Sequence, residues 1–259
     1  MRIGLFAADT VGHEIVRFFS EEREPLACLI LDSMDRKGLN SEMRRIAFEA
    51  RRPLILTSDI LKDGDSLSAL RELELDLFLL AWWPYIIKED LIRLPRIGCL
   101  NFHPSYLPYN RGKHYNFWSI IEDSPFGVTI HWVNETIDGG DVAFQSLVPK
   151  SWEDTGKTLY FKAQKEMVRL FKEKFPRIKA GDIPRRPQNL SLGSFHYAQE
   201  IEQASRIDLE KEYNARHFLN LLRARTFPPH PGACFLDDGI KYEVRVEILA
   251  VRDRSEHAK

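Results

Sequence analysis

The sequence is poor in cysteine and has no long hydrophobic run. Its 259 residues include three cysteines, without a CxxC pair or a cysteine–histidine spacing typical of metal sites. We therefore expect reduced thiols, no bound metal and a reducing compartment. No apolar run approaches the roughly 20 residues of a membrane helix, and the N-terminal segment has no signal-peptide cleavage pattern. These absences predict a cytoplasmic protein with no membrane partner.

Neither sign of charge dominates the sequence. The 37 lysines and arginines nearly balance the 38 aspartates and glutamates, for a formal net charge of −1. A protein that binds a polyanion by charge alone needs a basic excess. The sequence therefore predicts no nucleic-acid partner.

Two common catalytic and cofactor motifs are missing. The first strand-to-helix turn is AADTVG instead of GxGxxG, so we expect no dinucleotide site there. There is no GxSxG motif and no cysteine in reactive surroundings, which disfavours a covalent acyl-enzyme. If the chain transfers acyl groups, direct transfer from a bound donor fits better.

The first hundred residues alternate between short apolar runs and helical patterns. Continuous apolar runs are typical of parallel strands that are covered on both faces. The alternation predicts an α/β fold with an open, mostly parallel sheet and right-handed crossovers. The predicted strands are 2–8, 25–31, 53–56, 75–83 and 97–102, and the predicted helices are 11–19, 40 to about 51, from 58 onward, 88–94 and 113–123.

Polar residues with catalytic potential fall in one block, residues 98–145. Asn101 and His103 share a face of their strand because side chains alternate along a strand. An amide can donate to a developing oxyanion, and an imidazole can donate or carry a proton near neutral pH. Asp138, on a tight D-G-G turn, can hold the imidazolium or position a water. These groups suit the attack of an amine on a carbonyl.

Four residues in or near this block stay open to two or more interpretations. Arg111 can anchor an anion or pin its own loop. His131 can lie in the core, at the rim or in the site. Trp82 and Trp83, at the end of the fourth strand, can form the wall for a flat heterocycle or pack against the next helix.

The same block resembles the tetrahydrofolate-dependent formyltransferase family over about fifty residues. The resemblance is carried, in order, by Asn101-Phe102-His103-Pro104-Ser105-Tyr106-Leu107-Pro108, Arg111-Gly112, Trp118, Gly127-Val128-Thr129-Ile130-His131 and Asp138-Gly139-Gly140. It implies a Rossmann-like α/β fold, a one-carbon group transfer, and Asn101, His103 and Asp138 as the catalytic residues. It also implies the donor N10-formyltetrahydrofolate, bound by Trp82, Trp83, Pro84, Tyr85, Ile86 and Gly139.

The tail of the chain, residues 214–246, predicts a helix followed by a β-hairpin. Asp237-Asp238-Gly239 would form the hairpin turn. This tail resembles the segment after the catalytic domain in methionyl-tRNA and sugar-nucleotide formyltransferases. We expect a catalytic domain over 1–190 and a small C-terminal subdomain over 191–259. An apolar face of the helix (Phe218, Leu221, Leu222) can serve either a homodimer, which we expect, or an intramolecular core.

The resemblance leaves the acceptor of the formyl group to be chosen. The glycinamide ribonucleotide enzymes lack a tail of this kind, and the tRNA enzymes continue into a basic domain that we do not expect here. The remaining acceptor is a nucleotide-linked amino sugar, such as a 4-amino-4,6-dideoxyhexose on dTDP or UDP, for surface glycans such as lipopolysaccharide O-antigen. Candidate acceptor contacts are Arg111, Lys113, Tyr115 and Arg223. Tyr106 and Lys113-His114 depart from the family pattern on the acceptor side.

Two rival functions use the same fold. A formyltetrahydrofolate hydrolase would let water replace the amine. A silent ligand sensor would need no catalytic groups, and the intact set of Asn101, His103 and Asp138 disfavours it.

Overall fold

A seven-stranded sheet forms the centre of the molecule. The computed structural model describes residues 1–50, 52–61 and 64–251. The strand order is β3-β2-β1-β4-β5-β7-β8, and its first five strands run parallel, while β7 and β8 are antiparallel to their neighbours. The strands are β1 Ile3–Ala7, β2 Leu26–Leu31, β3 Leu54–Thr57, β4 Leu77–Ala81, β5 Gly98–His103, β7 Gly127–Trp132 and β8 Val142–Leu147. The predicted open, mostly parallel α/β sheet is confirmed.

Alternation along the strands divides the core into two layers. Leu5, Leu79 and Phe102 point to one face, where helices α1 and α6 cover them. Phe6, Phe78 and other side chains of opposite parity point to the other face. The helices are α1 Asp9–Glu21, α2 Asn40–Ala50, α3 Gly64–Glu72, α4 Glu89–Ile92, α5 Tyr115–Ile121, α6 Gly156–Ala180, α7 Glu200–Ala204 and α8 Ala215–Arg225.

Local signals explain where these elements begin and end. Thr155 and Thr158 form a capping box at the start of α6, and Gly181 ends that helix in the left-handed conformation. Residues 58–61 form a short 3₁₀ turn before α3. Residue 51, the predicted end of the second helix, lies outside the described residues. Across the described ranges no helix is long and apolar enough to cross a membrane.

The C-terminal part consists of α7, α8 and a hairpin. Strands β10 Ala233–Asp237 and β11 Ile240–Val244 pair around Asp238 and Gly239, which both have positive φ. The predicted helix-plus-hairpin appendage is confirmed. Leu221 and Leu222 are buried in the main core, with Phe218 packed against it, so the apolar face of α8 serves an intramolecular core.

A second, two-stranded sheet joins the two halves of the chain. Strand β6 Arg111–Gly112 pairs in parallel with β9 Phe195–His196. Segment 194–196, beyond the expected boundary at residue 190, therefore lies directly on the loop that follows β5. The division into 1–190 and 191–259 stays a prediction.

Candidate active site

Three polar side chains meet where β5 and β7 lie side by side. Asn101 of β5 is paired in register with His131 of β7, so both project from the same face. His103 lies two residues beyond Asn101 on that face. The turn before β8 brings Asp138 against all three residues. The predicted set Asn101, His103 and Asp138 is thus assembled, and His131 joins it.

Hydrogen bonds fix the orientation of His131 and Asn101. The Nδ1–H of His131 donates to the carbonyl oxygen of Trp132 at 2.9 Å, so its Nε2 accepts from the Asn101 amide nitrogen at 3.1 Å. The same amide nitrogen is 3.5 Å from Oδ1 of Asp138, at the limit of a hydrogen bond. This N–H is therefore available to a stronger acceptor.

The turn that carries Asp138 is held from two sides. The backbone N–H of Gly112 donates to Oδ2 of Asp138 at 2.9 Å. The Gln188 side chain donates to the carbonyl oxygens of Asp138 and Gly140, at 3.0 and 2.5 Å. Asp138 has a φ of +52°, a left-handed conformation that costs a non-glycine residue about 1–2 kcal/mol. The hydrogen bonds from Gly112 and Gln188 stabilise the turn in this conformation.

Glycine is required at Gly140, the second glycine of this turn. A Cβ at Gly140 would overlap the carbonyl group of Trp132. The backbone after Asp138 therefore passes too close to β7 for any larger residue. This explains why the D-G-G pattern marks the site in the sequence.

Burial sets the charges of the pair His103 and Asp138. Burial lowers the pKa of His103 below its ordinary value, although the Asp138 charge and the Asn110 carbonyl oppose that shift. Burial alone would raise the pKa of Asp138, but the adjacent histidines and the Gly112 N–H outweigh it and hold that pKa below its ordinary value. At neutral pH the site thus holds a neutral imidazole beside a carboxylate.

One ring nitrogen of His103 remains free for chemistry. Its Nδ1 lies 3.4 Å from Oδ1 of Asp138, while its buried Nε2 has no hydrogen-bond partner among the described residues. A buried, unpaired nitrogen costs free energy. A neutral imidazole with a free Nε2 and a carboxylate on Nδ1 can take up a proton at Nε2.

The two tryptophans that end the fourth predicted strand lie on opposite faces. Trp83 is buried and packs edge-on against Phe6 and Tyr85. Trp82 is half-buried, has a φ of +58° and pairs edge-on with Tyr115. Trp82 therefore faces the site side, and Trp83 belongs to the core. Ile86, further along the same loop, is 72% exposed.

The four candidate acceptor contacts have different surroundings. Lys113 is exposed near the Pro84 carbonyl, and the Tyr115 hydroxyl and the Arg111 Nε are buried without partners among the described residues. Arg223 is buried, and it donates to the carbonyl oxygens of Ser151 and Asp154, both at 2.9 Å, and to Asn220. The geometry does not support Arg223 as an acceptor contact, because its donors bind the protein itself.

A cleft that the sequence did not predict lies at the carboxyl ends of β1 and β2. Its lining includes Trp82 and Pro84 as well as the exposed Arg36 and Lys37. The cleft is lined by Ala8, Asp9, Asp32, Asp35, Arg36, Lys37, Leu39, Asn40, Trp82 and Pro84. Open α/β sheets bind ligands at the carboxyl ends of their strands, and this general rule is the one sequence-level indication of the cleft.

Gln188 was also not predicted, because no local pattern in the sequence marks it.

No cluster of three or more metal-ligating side chains occurs within the described part of the chain. The absence of a metal stays a prediction of the sequence.

The curated proteins that resemble this chain include two formyltransferases of different acceptor class. A dTDP-4-amino-4,6-dideoxyglucose formyltransferase from Mycobacterium bovis is 34% identical over 58% of this chain and 64% of that protein. A methionyl-tRNA formyltransferase from Methylacidiphilum infernorum is 32% identical over 67% of this chain and 53% of that protein. The chain thus spans less than two thirds of the length of either relative.

A solved structure and two family profiles also match this chain. The crystal structure of a 4-N formyltransferase from Francisella tularensis matches with a TM-score of 0.80 and 25% identity, over 96% of this chain and 98% of that chain. The profile described as an N-formyltransferase dimerization C-terminal domain matches residues 200–250. The profile described as formyl transferase matches residues 19–174, more than half of the sequence. This chain therefore belongs to the formyl transferase family.

Proposed function

We propose that this protein is an N-formyltransferase that moves a formyl group from N10-formyltetrahydrofolate to the amine of a nucleotide-linked amino sugar. One observation carries the proposal: the free Nε2 of His103 lies in a group with the Asn101 amide and the Asp138 carboxylate. A base, an oxyanion donor and an ionised partner are what an amine needs to attack a formyl carbon. Similarity to a curated dTDP-amino-sugar enzyme supports the acceptor class.

The residues at the sheet edge fit this chemistry. When bound, the folate donor supplies the formyl group. The Asn101 amide donates to the oxygen on which negative charge develops, and the neutral His103 takes the proton of the attacking amine at Nε2. As the bond from the formyl carbon to N10 breaks, His103 would return that proton to the departing nitrogen. Asp138, ionised and 3.4 Å from Nδ1, stabilises the imidazolium that forms. His131 holds the Asn101 amide in place.

The donor site of this proposal lies on the loop after β4. Pro84, Tyr85, Ile86 and Gly139 are the proposed contacts, with Trp82 as a side wall and Trp83 as a support from the core. The exposed Ile86 can cover a flat apolar ring system. A Cβ on Gly139 would press against Thr136, so a larger residue there would shift the turn.

In this proposal the acceptor binds with its sugar amine near His103 and its diphosphate in the cleft at the ends of β1 and β2. Three strand spacings of ~4.8 Å, or roughly 14 Å, separate β5 from β2 in the sheet order. The unpaired hydroxyl of Tyr115 and the exposed Lys113 would meet the sugar, with Arg111 behind them. Arg36 and Lys37 would meet the diphosphate.

Two acidic residues of the cleft accept hydrogen bonds from the surrounding protein. Asp32 accepts from the Tyr85 hydroxyl at 2.7 Å. Asp35 accepts from the backbone N–H of Leu39 at 2.8 Å. Arg36 forms an ion pair with Asp32 at 3.5 Å, and Lys37 is exposed to solvent.

The similarity to a methionyl-tRNA formyltransferase provides a second candidate acceptor, the amine of methionyl-tRNA. A tRNA ligand would require the protein to neutralise several phosphates. The net charge of −1 favours the sugar nucleotide.

The hairpin supports a proposed homodimer. Ile240 and Tyr242 lie two residues apart and so share one face of β11. Phe235 of β10 is paired with Tyr242, and their rings stack. Ile240 is 56% and Tyr242 is 43% exposed, and the C-terminal profile is described as a dimerization domain. We expect Ile240→Glu with Tyr242→Glu to halve the mass measured by light scattering. A wild-type protein that is monomeric at all concentrations would contradict the dimer.

The proposed compartment is the cytoplasm. Cys28 and Cys99 are free thiols, and burial raises the pKa of each to about 12. Inert thiols without disulfides fit a reducing compartment.

The formylated sugar would enter a surface glycan such as lipopolysaccharide O-antigen.

A mass-spectrometric screen tests the function. The protein is incubated with N10-formyltetrahydrofolate and a panel of dTDP- and UDP-linked amino sugars, with methionyl-tRNA and a donor-only sample in parallel. We expect one sugar nucleotide to become heavier by one formyl group. Formylation of methionyl-tRNA alone would support the second candidate, and donor turnover without acceptor would support the hydrolase. Either result would overturn the proposal.

A further inference from the structure

Segment 194–196, which precedes α7, packs directly against the loop that follows β5. The backbone N–H of Arg111 donates to the Ser194 carbonyl at 3.1 Å, and that of Lys113 donates to the His196 carbonyl at 3.0 Å. A Cβ on Gly112 would overlap the carbonyl of His196. The two backbones therefore touch over the residues that follow Asn110 in the loop.

The side chain of His196 is held on three sides. Its ring stacks on Trp118 with centroids 3.8 Å apart and planes 7° apart. Its Nε2 lies 2.7 Å from Glu122 and its Nδ1 lies 2.9 Å from Glu200. His196 therefore joins two carboxylates from different parts of the chain. Its side chain is only 12% exposed.

Glu122 connects His196 to the loop beside the site. Its second carboxylate oxygen accepts from the Asn110 amide at 2.8 Å and from the Ser194 hydroxyl at 2.7 Å. Asn110 is buried with a φ of +51°, and its backbone raises the pKa of His103 against the larger effect of burial. Glu122 thus holds a residue that directly precedes the Arg111–Gly112 segment of the loop.

We propose that His196, with Glu122, is a positioning residue for formyl transfer, because together they fix the loop that holds Asp138, the partner of His103. The loop reaches Asp138 through the Gly112 N–H at 2.9 Å, and Asp138 lies 3.4 Å from His103. Glu200, the other partner of His196, is the first residue matched by the C-terminal domain profile. His196 therefore connects that domain to the site. This inference rests on the proposed function.

The test compares His196→Ala, His196→Gln and Glu122→Gln with the wild type and with the exposed His217→Ala as a matched control. We expect kcat to fall about 10- to 100-fold for His196→Ala, less for the two conservative variants, and not at all for His217→Ala. The KM for the donor should change less than about threefold, and thermal unfolding should remain cooperative. An unchanged kcat would overturn the inference.

A titration of His103 by imidazole NMR gives a readout that does not depend on turnover. The Asn110 carbonyl favours the protonated form of His103, so releasing Asn110 should lower the pKa of His103 in His196→Ala. If His196→Ala loses donor binding while the titration of His103 is unchanged, His196 has a merely structural role. If the wild type transfers no formyl group to any acceptor, the proposed function fails, and the titration still decides the role of His196.

Discussion

The carboxyl ends of β5 and β2 lie at the same edge of one sheet, but they are built in different ways. At β5, His103 is buried and hydrogen bonds hold Asn101 and Asp138, with a single ring nitrogen left free. At β2, Arg36 and Lys37 stand exposed on an open loop. A reacting group must be fixed before the ligand arrives, whereas a recognition group can settle on it. The β5 end therefore suits chemistry and the β2 end suits recognition.

The largest effect should come from removing the base at the β5 end. We expect His103→Ala to lower kcat about 10²- to 10⁴-fold, because the amine proton loses its acceptor. Donor affinity, measured by quenching of tryptophan fluorescence, should stay close to that of the wild type. Wild-type turnover in His103→Ala would show that the chemistry lies elsewhere.

The next effect concerns the amide beside His103. Asn101→Ala should lower kcat about 10²- to 10³-fold, the range for losing one oxyanion donor. His131→Ala should lower kcat less, since His131 only orients that amide through the 3.1 Å contact. Steady-state kinetics of the two single variants and the double variant check this, and fully additive effects would contradict the orienting role.

At the β2 end we expect an effect on binding alone. Replacing Arg36 and Lys37 by alanine together should raise the KM for the acceptor about tenfold or more, since bonds to charged groups contribute about 1.5–3 kcal/mol. The kcat should remain unchanged, and the difference should shrink at high salt. Lys172→Ala, an exposed lysine on α6, is the matched control. A fall in kcat with constant KM would remove the distinction between the two ends.

The smallest effect is a displaced pH profile. Because burial lowers the pKa of His103, the imidazole stays neutral below the ordinary histidine pKa of about 6.5. As the pH falls through that lowered pKa, His103 becomes protonated and can no longer accept the amine proton. The acid limb of kcat/KM should therefore lie below pH ~6.5. An acid limb well above that pH would contradict the neutral base.

The sequence predicted the β5 end well because its geometry is local. Strand alternation alone places Asn101 and His103 on one face, and the D-G-G turn marks the return of the chain. His131 stayed ambiguous because alternation within β7 does not give the pairing register with β5. Without that register, the sequence does not show whether His131 lies on the same face of the sheet as Asn101. Trp82 and Trp83 were both expected at one donor site, but they follow the end of β4 and Trp82 has a positive φ, so strand alternation could not assign their faces.

The contacts that support the site come from distant parts of the chain. Gln188 binds the Asp138 turn across 50 residues of sequence, and Ser194 meets Glu122 across 72 residues. Arg223 was a candidate acceptor contact because of its charge, yet tertiary packing directs its donors to backbone carbonyls. No local pattern encodes such pairings, so only the folded chain shows them.

The central claim, that Asn101 and His103 carry out formyl transfer to an amine, is tested most directly with an isotopically labelled formyl donor. The label is followed by NMR in a single turnover with the accepted sugar nucleotide, for the wild type, Asn101→Ala and His103→Ala. We expect the label to move to the sugar amide in the wild type and to remain on the folate in both variants, while both still bind the donor. Movement of the label at the wild-type rate in either variant would contradict the account.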